Sequence, residues 1–338
     1  MIEPISSKSN IFVVCPAYSK TGGMELLHQL VYTLNDEGAH AVIAYTGVNT
    51  HRTDPPTNPE YKHYIDSYIC FEDIPDEVGT IVVFPEVDAY LIHKFNHAQI
   101  YFWWLSIDNY LKVYSASYYF RHRMFGDALR CIRHGTWRYS LPFLHKRVNL
   151  NLVQSYYAED YLKKHGFTNI QYLSDYINDD YIENNAPLPR ENTVLYNPKK
   201  GIEFTRKLMR AAPELHWRPL ENMTGEQIRH ALKTSKVYVD FGNHPGKDRL
   251  PREAAISGCC VITGRQGSAG YDQDLPIPAD YKFDDHISSI PSIIEKIHEC
   301  FDDFTSCSHD FDGYREMIYA EKSAFRKDVH DIFLKWHI

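Results

Sequence analysis

A chain of 338 residues is long enough for two domains of ordinary size, and its 43% hydrophobic and 24% charged residues mark it as globular and not disordered. A net charge of -8 excludes a general nucleic-acid binder, which would be basic overall. Seven cysteines without metal-ligand spacing, no basic-flanked apolar leader and no run near the ~20 apolar residues that cross a bilayer point to a cytoplasmic protein.

In chain order, Asn10-Ile-Phe-Val-Val-Cys15 reads as a buried strand ending in a Pro-Ala-Tyr-Ser-Lys loop. Gly22 and Gly23 then precede a helix carrying Leu27, Leu30, Val31 and Leu34 at spacings of three and four; Gly38 stops it, and Ala41–Tyr45 is the next strand. Further strands are expected at Thr80–Phe84, Gln99–Leu105 and Leu150–Val153. Strands alternating with helices predict a parallel sheet covered on both faces. The polar stretch Asp175–Asn192 reads as a hinge, after which alternation restarts. It runs through a strand at Thr193–Tyr196, a helix at Gly201–Ala212, a capping box at Thr224-Gly-Glu-Gln227, and strands Val237–Phe241 and Cys259–Thr263 around a helix near Glu253. A last helix places Ile318, Phe325, Val329, Ile332, Phe333 and Trp336 on one face. The expectation is an α/β protein of two Rossmann-like, doubly wound domains, residues 1–180 and 181–312, with 313–338 a helix packing back on the first. Ligand sites in such domains lie at the carboxyl ends of the strands, here facing a central cleft.

Several residue groups at those strand ends carry chemistry. Gly22 and Gly23 at a helix start offer backbone N–H groups to an anion. The loop from Asp240 to Glu253 presents Lys247, Arg249 and Arg252 beside Asp248 and Glu253: cations can neutralise a diphosphate, and a carboxylate can accept from ribose hydroxyls. Glu86 and Asp108 each follow an apolar strand, where a carboxylate can activate an acceptor hydroxyl or serve as a helix cap. Adjacent aspartates are present, but none has the Asp-x-Asp spacing of a metal-diphosphate site, so neither a metal nor another cofactor is expected. Between Tyr119 and Arg147, seven cations stand against one acid, a local +6 that leaves -14 for the rest. Arg130, Arg133, Trp137 and Arg138 belong to this aromatic-interleaved segment, which suits an anionic membrane surface or a lipid-linked acceptor, or else an ordinary solvated excursion.

Gly-Gly-Met-Glu25, Asn197-Pro-Lys-Lys-Gly201 and Pro-Arg-Glu-Ala-Ala-Ile-Ser-Gly-Cys-Cys-Val-Ile262 occur in the order found in group-1 glycosyltransferases of the GT-B fold. The chain resembles that family over nearly its whole length, and within it the bacterial enzymes that build capsule and O-antigen. The resemblance implies a nucleotide-sugar donor, a glycan or lipid-linked acceptor and metal-independent, retaining transfer in polysaccharide synthesis. It implies that Gly22 and Gly23 approach the donor diphosphate, that Lys200, more than Lys199, contacts it, that Glu253 holds the ribose, and that Ser268 lines the sugar or phosphate. Two departures stand out. The family's glutamate eight positions before Glu253 is Pro245 here, with His244, Asp248 or Arg249 left to fill its place, and its arginine before the lysine-glycine turn is Val194, with Arg249 or Lys247 to supply the charge. A nucleotide-sugar epimerase, a phosphorylase or a non-catalytic glycan-binding subunit would share the architecture. The expected location is the cytoplasm, with a peripheral position at the inner face of the membrane where the basic segment acts.

Overall fold

The computed structural model describes residues 10–49, 51–183 and 188–335. The chain divides into two compact units: one runs through Asp175 and takes in the chain from Ser323, and the other is Tyr176–Lys322.

The first unit is built on seven parallel strands, β1 (Asn10–Pro16), β2 (His40–Thr46), β3 (Tyr68–Cys70), β4 (Ile81–Pro85), β5 (Gln99–Trp104), β6 (Leu150–Val153) and β7 (Ile170–Tyr172), in the order β3-β2-β1-β4-β5-β6-β7. β4, β5 and β6 are buried at every position, as continuous apolar runs must be when helices cover both faces. The short edge strands β3 and β7 are not, and no apolar run announces them in the sequence. Helices α1 (Gly22–Asp36), α2 (Ile107–Tyr114), α3 (Ala116–Arg121), α4 (Phe125–His134), α5 (Leu141–Arg147) and α6 (Tyr156–Lys164) connect them. Phe84, Phe102, Trp104 and Tyr110 centre the core on one face.

The second unit is a four-stranded parallel sheet in the order β11-β10-β8-β9, from β8 (Glu191–Tyr196), β9 (His216–Pro219), β10 (Ser235–Asp240) and β11 (Cys260–Thr263). Its helices are α7 (Asp180–Glu183), α8 (Ile202–Ala211), α9 (Gly225–Thr234), α10 (Arg249–Ile256), α11 (Ile290–Asp302), α12 (Phe304–His309) and α13 (Asp312–Val329). The capping box forms at α9: Gln227 N donates to Thr224 Oγ1 at 3.2 Å, and Thr224 N to Gln227 Oε1 at 2.8 Å.

The last helix serves two cores. Tyr314 and Ile318 join the second unit's core, whereas Phe325 stacks on Trp103 at 6.4 Å and Phe333 lies 5.6 Å from Tyr101 in the first. The unit boundaries accordingly fall at 175/176 and 322/323, against the expected 180/181 and 312/313. Trp336, expected on the same face, lies outside the described residues, as do residues 184–187 of the expected hinge.

Strand order locates a crevice in each unit. In the first, the chain leaves β1 toward β2 and leaves β4 in the opposite direction toward β5, so the loops after β1 and β4 diverge. In the second, the loops after β8 and β10 diverge in the same way.

Candidate functional site

In the first unit, Thr21 caps α1 by accepting from Met24 N at 3.3 Å, and Gly22 and Gly23 form the first turn, where helix N–H groups lack intrahelical acceptors. A Cβ on Gly23 would sit 3.3 Å from Leu105 Cδ1, so glycine lets the helix start lie close to the end of β5. Glu86 follows β4 and is 3% exposed; its Oε2 accepts from Leu105 N at 3.3 Å. Burial pushes its carboxyl up to about 8 against the hydrogen bonds of backbone N–H groups and Asn109, so it is protonated at neutral pH. The residue expected to act as a base is thus an acid at rest. Asp108 sits in the first turn of α2 and accepts from Tyr157 OH at 3.4 Å; the cap is Ser106, whose Oγ accepts from Asn109 N at 3.1 Å. The sequence reading missed Asp88, buried two residues beyond Glu86, whose carboxyl burial raises to about 7. A Glu-x-Asp step leaving a strand was the signal available.

In the second unit the motif residues meet at the divergence of β8 and β10. Gly201, the cap of α8, has φ 54°, and a Cβ there would overlap Phe241 O. The Lys199-Lys200-Gly201 turn after β8 is therefore pressed onto the Phe241-Gly242 backbone after β10. Lys199 is exposed, while Lys200 Nζ pairs with Asp248 Oδ2. Asp248 also bonds His244, Nδ1 to Oδ2 at 2.7 Å, and His244 Nε2 stands 3.8 Å from Asp240 Oδ1. Asp240, His244 and Asp248 thus offer ligand atoms all within 4.8 Å of one another, a grouping without Asp-x-Asp spacing. Burial alone would lower the His244 pKa, but the Asp248 hydrogen bond and the Asp240 and Asp248 charges outweigh it and raise it. Burial raises Asp240, whereas Asp248 is held low in spite of burial by His244 and Lys200.

The other loop residues divide. Glu253, 9% exposed in α10, accepts from the Tyr181 hydroxyl, and the Arg249 charge acts on the same tyrosine. Lys247 and Arg252 are turned inward instead: Lys247 Nζ is 2.8 Å from Glu321 Oε1, and Arg252 Nη1 donates to Glu321 Oε2 at 2.9 Å. Arg252 also donates to Lys247 O at 3.0 Å and Asp248 O at 3.2 Å, fixing the loop from beneath. Lys247, expected to face a donor, is here buried and paired with Glu321. Ser268 is buried as well, its hydroxyl donating to Gly246 O at 2.6 Å.

The basic segment is an excursion between β5 and β6 with two sides. Tyr139 and Phe143 pack against the first unit's core, and Arg147 donates to Ile92 O and Phe95 O. On α4, Ala128 and Cys131 are buried while Phe125, Leu129 and Ile132, at spacings of four and three, form an exposed apolar stripe. Trp137, Arg130, Arg133 and Arg138 are exposed beside it, Arg130 pairing with Asp127 at 3.1 Å. No helix among the described residues is long and apolar enough to cross a membrane.

No protein-family model matches the sequence, and neither does any curated protein. Solved structures do match in three dimensions. Sucrose-phosphate synthase from Thermosynechococcus elongatus superposes with a TM-score of 0.62 at 12% identity, over 96% of this chain and 98% of that one. HepE of Anabaena in complex with UDP gives 0.62 at 10% identity, over 96% and 98%. A point mutant of S. aureus TarM, in complex with Fondaparinux, alpha-GlcNAc-glycerol and UDP, gives 0.57 at 15% identity, over 78% of this chain and 57% of TarM, so the chain spans little more than half of that protein. These neighbours are GT-B glycosyltransferases, and the fold of this chain is GT-B.

Proposed function

We propose that the chain is a glycosyltransferase that moves a sugar from a nucleotide donor to a glycan or lipid-linked acceptor in polysaccharide synthesis. The observation that carries this reading is the seating of the Lys200-Gly201 turn on Phe241-Gly242, which gathers Lys200, the His244–Asp248 pair and, through the same loop, Glu253 at the point where the second sheet's connections diverge. UDP accompanies two of the neighbours of this fold. In this reading Glu253, oriented by Tyr181, accepts from the ribose hydroxyls, and Lys200 exchanges Asp248 for the donor diphosphate. The ammonium offsets the charge that grows on the leaving phosphate, so the transfer step needs no metal. Transfer is read as retaining, the departing phosphate taking the acceptor proton, with Glu86 protonated at rest and Asp88 near it left to orient the acceptor. The exposed stripe of α4 and its arginines are read as the contact with an anionic bilayer, where a lipid-linked acceptor would be met.

The test is calorimetric titration of the protein with UDP. Wild type is expected to bind, and Glu253→Ala to lose at least tenfold in affinity with unchanged circular dichroism. Equal affinity in the two proteins would remove the ribose assignment.

A further inference from the structure

Four buried polar atoms at the carboxyl ends of β10 and β11 have no hydrogen-bond partner among the described residues: Asp240 Oδ1, His244 Nε2, Thr263 Oγ1 and Asp285 Oδ1. The first three belong to one place, and Asp285 lies beside it across Gly264. Asp240 and Thr263 are register partners across the two strands, and His244 Nε2 is 3.8 Å from Asp240 Oδ1. Gly264 donates its N–H to Asp240 O at 3.0 Å, and a Cβ on Gly264 would collide with Asp285 Oδ1. His244 and Thr263 are 1% and 0% exposed, and Asp240 is 3% exposed, so bulk water does not satisfy these atoms.

The second polar atom of each titratable group is already held. Asp248 Oδ2 takes His244 Nδ1 at 2.7 Å, Tyr238 OH donates to Asp240 Oδ2 at 2.9 Å, and Gln266 Nε2 donates to Asp285 Oδ2 at 2.9 Å. This is how proteins orient metal ligands: an outer partner fixes the tautomer or rotamer and leaves the inner atom aimed at the ion. We propose that His244 and Asp240 bind one divalent transition-metal cation, with Thr263 and Asp285 supplying further oxygens.

The donor set selects the ion. One imidazole nitrogen with carboxylate oxygens suits zinc or cobalt, whereas magnesium and calcium prefer oxygen alone. Two ligands about 2.0–2.2 Å from a tetrahedral zinc stand roughly 3.4 Å apart, so the 3.8 Å between His244 Nε2 and Asp240 Oδ1 needs only a small contraction. The charges agree. Asp240 and Asp285 bring two carboxyl groups to the site, whose negative charge a cation would offset. Its burial makes the cation structural and not a bridge to a diphosphate. Binding does not depend on the transferase reading, since it is measured without donor, though Asp248 would relay it to Lys200.

The full-length protein, stripped with chelator, is titrated with zinc chloride by calorimetry and with cobalt chloride by visible absorption. One equivalent of zinc should bind, with a rise in Tm, while magnesium at the same concentration does nothing. Cobalt should give ligand-field bands without thiolate charge transfer, which separates this site from the cysteines. His244→Gln and Asp240→Asn should each lower zinc affinity at least a hundredfold. Asp285→Asn, a milder change at a half-buried position, should lower it at least tenfold with circular dichroism intact. An absence of the one-equivalent site in wild type, or affinity in Asp285→Asn equal to wild type, overturns the proposal and leaves these atoms to buried water.

Discussion

Glu86 shows how far one residue's surroundings can change its chemistry. A glutamate leaving a strand at a sheet crevice reads as a base, yet its 3% exposure moves its carboxyl up to about 8. Because the folded value lies above the unfolded one, the protonated form is favoured in the native state. Its contribution to stability is fully present below about 4.5, declines as pH rises and is lost once pH passes about 8. Each unit of that interval corresponds to about 1.4 kcal/mol, so the loss is on the order of a few kcal/mol. Glu86→Gln keeps an acceptor for Leu105 N without a titrating proton. Urea unfolding at pH 5, 7 and 9 should show wild type losing stability across the series while the variant changes less and is the more stable at pH 9. Parallel slopes would mean that Glu86 ionises normally. Neither this shift nor the inward turn of Lys247 could be read from the sequence, because both depend on burial by residues distant along the chain.

At the scale of elements, what could be read was whatever repeats along the chain. The apolar runs of β4, β5 and β6 announce themselves because both faces are covered, and Thr224 with Gln227 announces the start of α9 by local spacing. β3, β7 and β9 were missed because short edge strands with mixed burial carry no such pattern. The site was half legible: Gly201, Lys200 and Glu253 stand in ordered motifs. The Asp240–His244–Asp248 grouping forms only when the loop after β10 folds back on itself. Least legible was Glu321, which reaches Arg252 across 69 residues of chain. It joins α13 to the loop before α10 through Lys247 and to α10 itself through Arg252, with side-chain exposures of 4% for the acid, 0% for Arg252 and 6% for Lys247. Removing the acid leaves both cations buried without it, a change that costs about 3–5 kcal/mol in comparable pairs. Glu321→Ala is expected to lose that much in urea unfolding and to weaken UDP binding as well, since Arg252 holds the backbone of Lys247 and Asp248. A loss under about 1 kcal/mol would show that water enters and replaces the carboxylate.

For the whole molecule, charge decides how it meets a surface. The protein carries -8, so an anionic bilayer repels it on average; only the +6 segment between Tyr119 and Arg147 can reverse that, and only at short range. Each Lys or Arg near an anionic leaflet contributes roughly 1 kcal/mol, falling off within a Debye length. The exposed Phe125, Leu129 and Ile132 stripe of α4 adds apolar area beside these charges. Attraction from charge should dominate the approach, and burial of the stripe should set how much binding survives salt. The Debye length falls from about 10 Å at 0.1 M to about 3 Å at 1 M, so wild type should pellet with phosphatidylglycerol vesicles at low salt and be largely released at high salt. Replacing Arg130, Arg133 and Arg138 with Glu should abolish pelleting at low salt. Phe125→Ser with Leu129→Ser should leave low-salt pelleting partly intact but remove whatever resists high salt. UDP affinity should stay unchanged in all three proteins, because Lys200 and Glu253 belong to the second unit. Equal pelleting of wild type and the arginine variant would reduce the segment to a solvated surface, and binding to uncharged phosphatidylcholine as strong as to phosphatidylglycerol would transfer the contact from charge to the apolar stripe alone.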